Sequence, residues 1–290
     1  MNNTKKIIFF DIDGTLSDFS GNIPKSTIDA IKKVRENGHL AFICTGRSLA
    51  QIEKKIINIG FDGIVAAAGA YIEFKGKEIY HSVFGEEKIK FLAEFMMKNN
   101  ISFIIQTKNG CYLSKKSGND FKKVFARRLK NDLGIEVHNL DDFSTIEEIV
   151  GKIKIDNEVD KYHLKYPDTE SMIYCDSCFS VEETRNYFMG KNLKVTPSSF
   201  KKPDNYSGEI TKETDNKASG IEKVIEYLGM SIDDTIAFGD GPNDIEMIEY
   251  VKYGIAMGNA VDDTKNVSNY ITDDVENEGI YKALKKFELI

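Results

Sequence analysis

The sequence predicts an α/β protein whose parallel sheet is interrupted by an inserted α+β domain. Three observations predict it. Short apolar runs alternate with helix-period stretches from residue 6 to about 83, the middle of the chain has a different texture, and the first rhythm returns after Ile210. At 290 residues the chain exceeds the usual single-domain size, so two domains are expected. We place a discontinuous core at 1–83 and 211–290, and the inserted domain at 84–210.

The elements follow in order. Ile7-Ile8-Phe9-Phe10 is an unbroken apolar run, as expected of a strand buried on both faces of a parallel sheet. Lys25 to Asn37 reads as a helix introduced by Pro24 and closed by Gly38. His39 to Cys44 is a strand, and Ser48 to Ile59 is a helix capped by Ser48 and ended by Gly60. Gly63 to Ala67 supplies a third strand. Tyr71 to Phe74 and Glu78 to Tyr80 flank Lys75-Gly76-Lys77 and read as a hairpin that leaves the sheet.

Within the insert, Glu86 to Asn99 is an amphipathic helix with Ile89, Leu92, Ala93 and Met96 at three- and four-residue spacing. Strands at Ile101 to Gln106 and Cys111 to Ser114 and a further helix follow. Lys152 to Ile155, Met172 to Cys175, Leu193 to Thr196 and Tyr206 to Ile210 complete an antiparallel sheet with helices on one side. The core then resumes. Asn216 to Leu228 is a helix stopped by Gly229, Thr235 to Phe238 a buried strand, Asp244 to Tyr250 a helix, and Tyr253 to Met257 a strand. The acidic run Asp273-Asp274-Val275-Glu276 reads as a solvated loop.

Composition narrows the function classes. Hydrophobic residues at 41% and charged residues at 29% speak against disorder, collagen or a coiled coil. A formal net charge of −7 argues against nucleic acid as a partner. No segment is apolar for long enough to span a bilayer, and Met1 to Lys6 leads straight into a strand rather than a signal-peptide core, so no membrane partner and a cytoplasmic location are expected. Cys175-Asp-Ser-Cys178 has redox or metal spacing. Without a second pair or a histidine cluster, it and the remaining cysteines, Cys44 and Cys111, read as reduced structural thiols.

Four groups of residues could carry chemistry, and each follows a predicted strand or opens a predicted helix. Asp11-Ile12-Asp13-Gly14-Thr15 places two carboxylates just beyond a strand, where parallel sheets bind ligands. Taken alone it also fits a calcium loop or a plain turn. Thr45-Gly46-Arg47 offers a hydroxyl and backbone amides where a helix is about to begin, which suits a phosphate or a simple capping turn. Lys217 lies in a first helical turn, where the helix dipole disfavours a cation unless an anion is near; a solvated lysine is the alternative. Gly239-Asp240-Gly241-Pro242-Asn243-Asp244 sets two carboxylates around a tight turn, which suits a hard cation such as Mg²⁺ or a plain turn with incidental acids. All four belong at one sheet edge, so the incidental readings weaken jointly.

In these motifs and their order the sequence resembles the haloacid dehalogenase-like (HAD) phosphatase superfamily. Ile245-Glu246-Met247 and Gly254 to Ala260 resemble its Cof-type subgroup, whose α+β (type IIB-like) cap lies between the second and third motifs, where the insert falls. The resemblance implies a Rossmann-like core and an Mg²⁺-dependent phosphatase. It implies Asp11 as nucleophile and Asp13 as general acid and base. The metal would be held by Asp11, the Asp13 carbonyl and Asp240, with Asp244 acting through water. Thr45, the Gly46 amide, Lys217 and Asn243 would gather the phosphoryl oxygens, and Arg47 would reach the substrate or brace its loop. The implied partner is a small phosphorylated metabolite, sugar phosphates first, then flavin mononucleotide or pyridoxal phosphate, acted on by a monomer or homodimer. A phosphomutase or phosphotransferase, or a non-catalytic phosphometabolite sensor, is the alternative. One departure is visible: Ala68-Gly69-Ala70 stands where the subgroup often has Asn-Gly-Ala.

Overall fold

The computed structural model describes residues 5–18, 20–134, 136, 153–156, 159, 166–199 and 203–290. The chain divides into two units, one formed by Met1–Gly46, Lys54–His81 and Asp215–Ile290, the other by Arg47–Glu53 and Ser82–Thr214. The sequence boundaries at 84 and 210 lie just inside the second unit, and nothing in the sequence assigned residues 47–53 to it. Met1 to Thr4 and Lys152, which figured in the sequence reading, lie outside the described residues.

The first unit opens with β1 (Ile7–Phe10), α1 (Lys25–Glu36) and β2 (Leu40–Cys44). Every residue of β1 and β2 is buried, so the sheet here is covered on both faces and alternation is absent from the sequence. Helix α1 buries Ala30, Ile31 and Val34, and Gly38 leaves it at φ +90°. The expected helix over 48–59 does not form as one piece. A single 3-10 turn spans Leu49–Gln51, Ile52 is extended and buried, and α2 covers only Lys54–Gly60. The cause lies in the fold: residues 47–53 pack with the second unit. After β3 (Gly63–Ala66), β4 (Tyr71–Phe74) and β5 (Lys77–His81) form a hairpin. That hairpin stays in the sheet rather than leaving it, because β4 pairs antiparallel with β3, with Val65 opposite Ile72.

The second unit contains α3 (Glu86–Lys98), β6 (Ser102–Thr107), β7 (Gly110–Leu113), α4 (Lys115–Arg128), β8 (Ile153–Ile155), β9 (Thr169–Cys175), α5 (Val181–Phe188), β10 (Leu193–Ser199) and β11 (Pro203–Lys212). Its sheet runs β10-β11-β9-β6-β7-β8. The sheet is mixed rather than antiparallel throughout, since β8 pairs parallel with β7. Alternation along β6 decides what covers each face. Phe103 and Ile105 pack with Ile89, Leu92 and Met96 of α3 and Val181 and Phe188 of α5. Ile104 points the other way and joins Cys111, Leu113, Ile173 and Phe121 of α4. Helices therefore lie on both faces, correcting the one-sided arrangement expected.

The chain returns to the first unit with α6 (Lys217–Leu228), β12 (Thr235–Gly239), α7 (Ile245–Tyr250), β13 (Tyr253–Ala256), α8 (Asp262–Val267), β14 (Tyr270–Ile271) and α9 (Gly279–Lys286). The sheet order is β14-β13-β12-β1-β2-β3-β4-β5. It is parallel from β14 to β3. Strand β1 thus lies between β2 and β12, the point where strand order reverses and ligands bind beyond the carboxyl ends. The acidic run is not wholly solvated, for Val275 is buried and Asp273 pairs with Lys282. All four cysteines are free. Among the described residues no helix is long and apolar enough to cross a membrane.

Candidate active site

Strands β1 and β12 deliver the first acids side by side. Phe10 lies opposite Phe238, their rings stacked at 5.2 Å, and the Asp11 amide donates to the Phe238 carbonyl at 3.0 Å. One residue beyond β12 comes Asp240. Asp11, Asp240 and Asp244 are all buried, and one carboxylate oxygen from each lies within 4.8 Å of the others. Lys217 enters the same cluster, its Nζ donating to Asp11 Oδ1 at 2.6 Å and Asp244 Oδ1 at 2.5 Å. The lysine is 1% exposed, so the anions that its first-turn position called for are present.

Local backbone chemistry sets each of these side chains. Asn216 caps α6, its Oδ1 accepting from the Ser219 amide at 2.8 Å, and so fixes the residue that follows. Gly220 brings α6 close to β3, where a Cβ would meet Val65 Cγ1 at 2.6 Å. Asp244 Oδ2 accepts from the amides of Asp240 at 3.0 Å and Gly241 at 2.9 Å, so both its oxygens are held by protein donors. Gly14 turns the first loop at φ +80°, and a Cβ there would meet Asp240 Oδ2 at 2.2 Å. Only glycine fits that approach.

Burial and charge together explain the titration of the cluster. Burial, then the Asp244 charge, pushes Asp11 up to about 7 against the pull of Lys217. Burial, then Asp244 and Asp11, raises Asp240 well above the usual carboxylate range. Burial disfavours the Lys217 ammonium, but Asp11 and Asp244 outweigh it and lift its pKa above the ordinary lysine value. Three buried carboxylates face one lysine, and the donor set is all oxygen. That is the chemistry of a hard divalent cation site.

The other expected residues take these places. Asp13 is exposed on the loop after β1. The Thr45 amide donates to the Val65 carbonyl at 2.9 Å, and its carbonyl accepts from the Ala68 amide at 3.0 Å. A Cβ on Gly46 would lie 3.7 Å from Asn243 Nδ2, so the loops after β2 and β12 approach one another. Arg47 belongs to the second unit, where its guanidinium donates to the Gln51 carbonyl at 3.4 Å and lies 3.5 Å from Glu53 Oε1.

Two residues given no role from sequence stand out. Thr15 Oγ1 donates to Asp240 Oδ1 at 2.9 Å. Asn259 Nδ2 donates to the Gly14 carbonyl at 2.8 Å while its Oδ1 accepts from the Val275 amide at 3.2 Å. Their signals were present, in the Asp-Gly-Thr run and in Gly258-Asn259-Ala260.

A buried carboxylate cluster crossed by a lysine thus lies at the reversal point of a parallel α/β sheet. The chain belongs to the haloacid dehalogenase-like hydrolase family, whose profile matches residues 8–284. Its inserted mixed-sheet domain makes it a Cof-type, subclass IIB member, and it is a phosphoric monoester hydrolase. It is 30% identical to YkrA of Bacillus subtilis (strain 168), over 98% of each chain. It is 27% identical to the 5-amino-6-(5-phospho-D-ribitylamino)uracil phosphatase YcsE of the same organism, over 98% of this chain and 96% of that one. The solved structure of the subclass IIB sugar phosphatase BT4131 superposes with a TM-score of 0.75 at 27% identity, covering 99% of this chain and all of the other.

Proposed function

We propose that this enzyme hydrolyses phosphate esters of small polyhydroxylated metabolites, sugar phosphates foremost, through an aspartyl-phosphate on Asp11 and with Mg²⁺. The observation that carries the reading is the buried Asp11, Asp240 and Asp244 cluster crossed by Lys217. Asp11, the Asp13 carbonyl and Asp240 would hold the ion. Asp244, both oxygens of which accept protein hydrogen bonds, would act through water. Held there, the ion would supply positive charge that lets a carboxylate and a phosphoryl dianion approach.

Asp11 attacks phosphorus, and the bond from phosphorus to the ester oxygen breaks. Asp13 protonates the leaving alkoxide, then takes a proton from the water that cleaves the aspartyl-phosphate and frees inorganic phosphate. An exposed Asp13 suits a group that must trade protons with leaving group and solvent water. Lys217, Thr45, the Gly46 amide and Asn243 gather the phosphoryl oxygens, since phosphoryl transfer is chiefly positioning and charge neutralisation.

The substrate class draws support from the relatives. One is a sugar phosphatase and another acts on a phosphoribityl compound, both with phosphate on a polyhydroxylated carbon chain. The test is phosphate release from sugar phosphates, sugar-alcohol phosphates, flavin mononucleotide, pyridoxal phosphate and nucleotides, with Mg²⁺ or EDTA. We expect Mg²⁺-dependent release, greatest on the polyol esters, and its near-complete loss in a folded Asp11→Asn variant. Transfer of the phosphoryl group to a second sugar in place of release would identify a mutase, and turnover by Asp11→Asn would refute the mechanism.

A further inference from the structure

The helix expected over 48–59 is broken, and the residues that replace it are tied by side-chain hydrogen bonds to the sheet of the second unit. Gln51 is buried, and its Oε1 accepts from the Ser48 amide at 2.9 Å and from Gln106 Nε2 on β6 at 2.6 Å. Gln106 is itself buried and its Oε1 accepts from the Ser171 hydroxyl on β9. Ser48 Oγ lies 3.9 Å from Cys111 Sγ on β7. Five buried side chains on three strands and a turn thus form one connected set, in a setting where a lost partner is costly.

Packing alone does not account for this arrangement. The same residues could have continued a helix and kept its backbone bonds, and the sequence has the caps to do so. Instead, the chain crosses from the first unit to the second at the Gly46–Arg47 peptide bond and back at Glu53–Lys54. The residues just before the first crossing are Thr45 and Gly46, and Thr45 is held on its other side by Val65 and Ala68.

We infer that Gln51 and Gln106 are positioning residues for the phosphate-binding loop: they anchor residues 47–53 and so set, through one peptide bond, where the Thr45 hydroxyl and Gly46 amide stand. The inference rests on the reading of Thr45 and Gly46 as ligands of the phosphoryl oxygens. Neither glutamine touches substrate. Their effect is on a geometry that transition-state binding uses, where small misplacements are expensive.

The test uses the full chain with Mg²⁺ and p-nitrophenyl phosphate, and orthovanadate as a mimic of the five-coordinate phosphorus. Gln51→Met and Gln106→Met keep volume and remove the amide bonds. Folding is checked by circular dichroism and thermal unfolding. We expect each to fold, to lose tenfold or more in kcat, and to bind vanadate more weakly by a similar factor. Gln51→Glu keeps an acceptor for both donors and should lie within threefold of wild type. Thr45→Ala should cost on the order of 100-fold in the wild-type background but less than tenfold beside Gln51→Met, because a displaced hydroxyl has little left to lose. Wild-type kcat in both methionine variants, or full additivity with Thr45→Ala, overturns the inference while leaving the loop's own role intact. A neutral Thr45→Ala would instead overturn the loop reading beneath it. Should the methionine variants fail to fold, Ser171→Ala removes only the donor to Gln106. It should lower kcat several-fold, and unchanged kcat refutes the coupling.

Discussion

Ala68 has φ +51° and ψ +36°, and its neighbour Ala67 has φ +47°. Left-handed backbone costs an L-residue about 1–2 kcal/mol, and asparagine bears it better than alanine. The departure from Asn-Gly-Ala seen in the sequence therefore has a backbone meaning as well as a side-chain one. The loop keeps its shape because it is held from outside: the Ala68 amide donates to the Thr45 carbonyl, and Gly69 approaches Asn216 so closely that a Cβ would meet its carbonyl oxygen at 2.3 Å. Strain of this kind gathers at functional loops. Ala68→Asn should raise the unfolding free energy by about 0.5–1 kcal/mol, read as a higher urea midpoint at constant slope; a lower midpoint would show that the loop does not carry this strain. Single residues were unevenly legible. Asp11, Lys217, Asp240 and Asp244 stand next to strand ends or helix starts, where local pattern places them. Thr15 and Asn259 stand in readable runs, but their bonds to Asp240 and Gly14 join residues 225 and 245 apart, and local spacing does not name those partners.

At the scale of elements, apolar runs and caps predicted strands and helices wherever the local rule and the tertiary partner agree. Helix α1 follows Pro24 and ends before Gly38 as read, and β1, β2 and β12 are buried throughout. The misses share a cause. The 48–59 helix breaks because Gln51 finds Gln106, distant in sequence but in the same unit, the β4–β5 hairpin joins the sheet because Ile72 pairs with Val65, and α4 covers the second face because β6 alternates. Periodicity tells that a face is apolar but not what will cover it. The loop between β13 and α8 carries a consequence of the same sort. Asn259 joins the Gly14 carbonyl to the Val275 amide, so it braces the turn on which Asp13 rides from behind. Asn259→Ala should cost about 1–3 kcal/mol of stability, since it strands two buried partners, and should lower kcat more than KM. A variant with lost stability and unchanged kcat would limit Asn259 to a structural part.

For the whole molecule the cluster makes stability, metal and pH one problem. Asp11 in the folded, metal-free protein titrates near 7, and Asp240 is also raised, against an ordinary value of 3.8. A carboxyl whose folded pKa lies above its unfolded one takes up protons on folding. Its contribution is therefore present below about pH 4 and is lost as pH rises through 7. A bound divalent cation removes the penalty, so the increase in Tm on adding Mg²⁺ should be larger at pH 8 than at pH 5. Asp240→Asn should raise the metal-free Tm at pH 8 and erase the Mg²⁺ increment; equal increments at both pH values would contradict the cation-site reading. The covalent role of Asp11 is the claim on which the mechanism stands, and trapping tests it most directly. Enzyme turning over a phosphomonoester with Mg²⁺ is quenched and reduced with borohydride, which converts an aspartyl-phosphate to homoserine, and the peptide containing residue 11 is read by mass spectrometry. We expect homoserine at position 11, dependent on substrate and absent from Asp11→Asn. Homoserine at another aspartate, or none during active turnover, would contradict it.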